Sequence, residues 1–83
     1  MKTTVYSIAQ TAVLIHPAAN EPQTIYLDPT AQDIYIGGSD VTTANGIKLT
    51  KSIITPIFCP SFQSLYAITA TGTHPIIKLS ESP

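Results

Sequence analysis

At 83 residues the chain has room for one domain and buries only a modest fraction of its surface on folding. Only 11% of its residues are charged, against roughly 25% in an average globular protein, and the net charge is −1. Arginine is absent and the lysines are scattered, so there is neither a basic stripe for a phosphate backbone nor a guanidinium fork for bases, which excludes a nucleic-acid partner.

So few charges predict self-association or docking, because buried interfaces are depleted in charge. Cys59 is the only cysteine, so no intramolecular disulfide staples the fold, and its setting among Ile57, Phe58 and Pro60 predicts a small buried hydrophobe. The opening MKTTVYSIAQTAVLI is broken by Ser7, Gln10 and Thr11 and fails as a signal-peptide core. No stretch approaches the ~18 apolar residues of a membrane-spanning helix, so no membrane partner is expected.

In chain order, residues 3–8 alternate Val5, Tyr6 and Ile8 with hydroxyl residues and predict a first strand or an extended arm. Residues 11–16 form a compact apolar run closed by Pro17. Val5, Ile8, Ala9, Ala12 and Val13 also fit helical spacing, but β-branched residues dominate and strands are preferred. Residues 23–28 (QTIYLD) predict a strand ended by the turn initiator Asp28-Pro29.

Residues 33–49 (DIYIGGSDVTTANGIKL) organise the chain. They run as a strand to Gly37-Gly38, where a tight bend or bulge is expected. They turn again at Asn45-Gly46, which predicts a type I′ hairpin requiring positive φ. Everything before this stretch reads as strands leading in, and everything after as strands returning. Pro56 places residues 51–58 at a sheet edge or bulge, and residues 59–63 (CPSFQ) predict a loop. Residues 64–71 alternate, with Leu65, Ala67 and Thr69 on one face and Tyr66, Ile68 and Ala70 on the other. Gly72 turns the chain, and residues 75–79 close it. The reading is all-β: a small β-sandwich or barrel of about seven to eight short antiparallel strands. Residues 1–8 form a strand or arm, and residues 9–83 a single domain.

Chemistry is thin. His16 and His74 each precede proline at corresponding strand edges, without a third ligand for zinc. Asp28, Asp33 and Asp40 lack the alternating spacing of a calcium loop and suit turn capping. Neither Ser7 nor Ser39 has a nucleophile motif, since GGSD is not a nucleophile elbow, and Gly37-Gly38 lacks the lysine and helix of a phosphate loop. Tyr6, Tyr26, Tyr35 and Tyr66 each lie in a predicted strand with one end buried and the hydroxyl at the rim. No catalytic, cofactor-binding or metal-ligating residue is assigned, and the chain is read as not an enzyme.

The run Ile36-Gly37-Gly38-Ser39-Asp40-Val41-Thr42 ending in Asn45-Gly46, followed by the Leu65-Tyr66-Ala67-Ile68 strand ending in Thr71-Gly72-Thr73, resembles small all-β virion proteins of tailed bacteriophages. The likeness spans roughly residues 24–79. It departs at residues 51–63, where Pro56, Cys59 and Pro60 stand in place of a simpler glycine-containing edge. It implies a head decoration (cement) or head-fibre type protein made in the host cytoplasm and displayed on the capsid surface. Such a protein would be a homo-oligomer, a trimer by preference, clamping neighbouring major capsid subunits, with residues 1–7 as an arm adding a strand to a neighbouring sheet edge. The alternative is a fibre or tail β-module that binds host-surface carbohydrate or another virion protein. Tyr35 beside Asp33 is the only adjacent pair suited to a sugar. Exposure of Tyr26 and Tyr35 on one face would favour that alternative, and their burial would favour decoration.

Overall fold

A computed structural model describes residues 1–80 of the chain. Among them are eight strands and no helix: β1 (Lys2–Ile8), β2 (Val13–His16), β3 (Gln23–Asp28), β4 (Ile34–Gly37), β5 (Ile47–Leu49), β6 (Thr55–Cys59), β7 (Leu65–Ile68) and β8 (His74–Ser80). They form two four-stranded sheets, ordered β1-β8-β3-β6 and β2-β7-β4-β5, with every pairing antiparallel.

The pairs β4·β5, β3·β6, β2·β7 and β1·β8 are nested, so the chain is one long hairpin wound into a sandwich. This is the strand order of a jelly roll. The strands that lead into residues 33–49 return paired with the strands that follow them. The all-β sandwich expected from the sequence is the fold observed.

The core lies between the sheets. Ile8, Ile25, Leu27 and Ile76 of the first sheet meet Ile15, Ile34, Ile36 and Leu49 of the second, all essentially excluded from solvent. Each contributes about 1.5–3 kcal/mol relative to an exposed side chain. The short molecular axis is only 16 Å, which leaves room for one interdigitated layer of side chains.

Of the two readings of residues 1–8, the strand is the one that forms. β1 pairs with β8 from Lys2↔Ser80 to Ile8↔His74, so an arm projecting from the domain is corrected to an edge strand. Pro56 sits on β6, at the other edge of the same sheet, the position in a sheet where proline is tolerated. Cys59, expected to open a loop, is instead the last residue of β6, opposite Gln23, and is buried as expected.

The hairpin between β4 and β5 departs from expectation. Ile36 pairs with Ile47, so residues 38–46 form the connection, and neither Asn45 nor Gly46 has positive φ. Asn45 accepts from the Thr42 amide through Oδ1 (2.7 Å), and Thr42 Oγ1 accepts from the Ala44 and Asn45 amides. Gly46 N–H closes the loop on the Thr42 carbonyl at 2.9 Å. Gly46 is required by space: a Cβ there would lie 2.9 Å from Thr42 O, Tyr35 Cβ and Val41 Cγ2. A two-residue turn would leave Val41 in water, whereas this loop buries it to 5% exposure.

Candidate functional site

Two features of the sandwich stand out as candidate contact sites. The first is the outer face of the β1-β8-β3-β6 sheet. Strand alternation places Val5, Ile77, Leu79, Tyr26 and Phe58 on that side, because Val5 pairs with Ile77, Tyr26 with Leu79, and Thr24 with Phe58. Val5 is 62% and Phe58 64% exposed, and Ile54 stands exposed beside them. Thr3, Tyr26, Asp28, Ile54, Ile77 and Leu79 line a shallow depression of about 200 Å³. Asp28 is its one charged side chain, and its buried Oδ1 has no hydrogen-bond partner among the described residues.

The second feature is a cleft of about 230 Å³ at one end of the sandwich, between β1, β8 and the residues that follow β2. Inward parity with Ile76 carries Lys78 into the interior, opposite Thr4 on β1 and Leu27 on β3, where it is only 7% exposed. Its Nζ donates to the Ile15 carbonyl at 2.8 Å and lies 5.9 Å from the Tyr6 ring centroid. A bulge in β2 makes this possible. Leu14 pairs with Tyr66 and His16 with Leu65, leaving Ile15 as the extra residue with no partner in the ladder. The bulge also buries two successive side chains, Ile15 and His16.

Electrostatics follow from that burial. Desolvation, and next the Lys78 charge, hold the His16 imidazole below its ordinary range. Its buried Nδ1 has no hydrogen-bond partner among the described residues. Burial also lowers the Lys78 ammonium, opposed by Cys59 and aided by Lys2, and raises the Cys59 thiol. These groups suit binding of an anion more than nucleophilic chemistry, because the buried thiol is held protonated.

The candidates read from sequence fall elsewhere or apart. His16 and His74 do not share corresponding edges: His16 ends β2 in one sheet and His74 starts β8 in the other. Asp28 lies on the outer face of β3, whereas Asp33 accepts from the Lys51 amide at 2.7 Å and pairs with Lys48 at 3.4 Å. The Lys51 amide is the main reason the Asp33 carboxyl is held below its ordinary value. No three His, Cys, Asp or Glu side chains gather into a metal-binding group among the described residues. Tyr26 and Tyr35 lie on different sheets, on opposite outer faces of the sandwich. Asp33 and Tyr35 are half-buried, with Tyr35 opposite Lys48.

Lys78 was not singled out by sequence reasoning. The signal was present in its two-residue spacing from Ile76 and Ser80 along a strand whose alternate positions are buried. In comparisons with known proteins, no family model matches the chain, and no curated protein or solved structure matches it at a significant level.

Proposed function

We propose that this chain is a structural virion protein of a tailed phage: a capsid decoration protein that oligomerises as a trimer and clamps neighbouring major capsid subunits. The observation that carries the reading is the apolar outer face of the β1-β8-β3-β6 sheet, with Val5, Phe58 and Ile54 exposed on it. Burying such a face against protein is favourable at roughly 25 cal/mol per Å² of apolar surface, and three linked copies raise the effective affinity further. The jelly-roll order supports the reading by analogy alone, since that architecture recurs in capsid and lectin domains.

Asp28 favours a second reading. Tyr26 offers an exposed ring on which a sugar can stack, two residues along β3 from the half-buried Asp28 carboxylate. On that reading the chain is a fibre or tail β-module that binds host-surface carbohydrate.

Titrating purified protein onto expanded, genome-free capsids separates the two, with light scattering giving the mass of the free protein. Decoration predicts saturable binding at a copy number tied to the threefold positions and a trimeric mass. A folded protein that ignores capsids but binds glycans overturns decoration in favour of the fibre reading.

A further inference from the structure

The cleft at the open end of the sandwich is separate from the apolar face and has a chemistry of its own. Lys78 is a buried cation whose surroundings supply one carbonyl, one aromatic face and no carboxylate among the described residues. An ammonium taken out of water without an anionic partner is costly, and no carboxylate of the described residues offsets it. His16 is 4% exposed, lines the same cleft and leaves a buried ring nitrogen without a partner. Lys2 stands at the mouth, paired with Ser80 across the β1·β8 ladder, and adds a second positive charge.

We infer that this cleft binds a single carboxylate carrying a short apolar stem, with Lys78 as its buried counter-charge and Lys2 at its entrance. A carboxylate fits better than a phosphate for three reasons. Only one cation is buried, which matches one negative charge. The chain has no arginine to fork a phosphate, and no helix N-terminus or glycine-rich nest at the cleft to cradle one. Pro17, Ala18 and Ala19 make one wall apolar, which suits carbon beside the charged head.

The groups facing Lys78 are Lys2 and Tyr6 from β1, His16 from β2 and Cys59 from β6, while β3 contributes the uncharged Leu27 and Gln23. Among the described residues none of them supplies a negative charge while the thiol is protonated. Two sources carry the ligand chemistry: a free short-chain acid, or a glutamate side chain on a docked protein.

The test is amide NMR of the full chain titrated with propionate, with propionamide, and with the blocked tripeptide Ala-Glu-Ala. Saturable shifts should concentrate on the amides of Thr4, His16 and Ser80 with both carboxylates and be absent with propionamide. Lys78→Met, which keeps the stem and removes the charge, should abolish them in a protein whose spectrum stays dispersed. Lys2→Gln, on an exposed residue, should weaken binding about two- to five-fold and decides the matter even where Lys78→Met fails to fold. Peptide binding at least ten-fold tighter than propionate assigns the protein-borne source, and equal binding assigns the free acid. Shifts with propionamide equal to those with propionate, or no saturable shifts with either carboxylate, overturn the inference. Because no capsid is involved, this result is independent of the decoration reading.

Discussion

The two outer faces of the sandwich are treated differently by the chain. On the β2-β7-β4-β5 sheet, residues 38–46 fold back over β4, and Val41 packs against the positions where Gly37 and Gly46 lack a Cβ. The loop therefore covers part of that sheet's outer surface, with Tyr35 and Tyr66 half-buried, while Leu14 at the β2 edge stays exposed. Among the described residues no loop does this for the β1-β8-β3-β6 sheet, where Val5, Tyr26 and Phe58 are exposed. The chain spends a nine-residue connection on one face and leaves the other bare, and the proposed decoration role places its partner on that bare face.

The contrast can be broken from either side. Gly46→Ala should have the largest effect on stability, about 1–3 kcal/mol, because the new Cβ meets backbone as well as Val41 and Tyr35. Denaturant unfolding measures it, and the same change at exposed Gly38, where the nearest atom is an Asp40 side-chain oxygen at 3.3 Å, should cost far less. Val41→Ala removes two buried methyl groups and should cost about 2 kcal/mol, which lowers the melting temperature by on the order of 10 °C. Phe58→Ser removes a larger side chain from the bare face, yet should change stability by no more than about 0.5 kcal/mol while abolishing partner binding.

The interior sets the pH response. Because the folded His16 value lies below the ordinary 6.5, the unfolded chain takes up a proton first as the pH falls. The stability His16 contributes is thus complete above about pH 6.5 and is lost as the pH falls toward its folded value. Asp33, also lowered, adds a second loss below its ordinary 3.8. Thermal melts from pH 7.5 to 4.5 should show the first step, and His16→Gln should flatten it. The smallest effect belongs to Lys48→Ala, which breaks an exposed ion pair and should barely move the melting temperature.

The nested fold was legible because one stretch set the centre and the flanking segments alternated with period two. Pro56 marked its own edge through its missing donor, and Cys59 its own burial. Asn45-Gly46 misled because a sequence pair specifies what a turn tolerates and not what lies under it. Here Thr42 and Asn45 exchange side-chain hydrogen bonds, and the need to bury Val41 sets the loop's path. Residues 64–71 form the expected strand with the expected two faces, and what the alternation did not show is that Ala67, Ile68 and Thr69 are all buried. The cleft was hidden because it needs a bulge at Ile15, a feature of the β2·β7 register that neither strand announces alone.

Hydroxyl-radical footprinting of the protein free and bound to capsids tests the central claim most directly, because each face carries its own aromatic reporters. The account predicts that Tyr26 and Phe58 lose reactivity on binding, while Tyr35 and Tyr66 react as they do in the free protein. Protection of Tyr35 and Tyr66 with Tyr26 and Phe58 unchanged would contradict it and place the partner on the face that the chain covers itself.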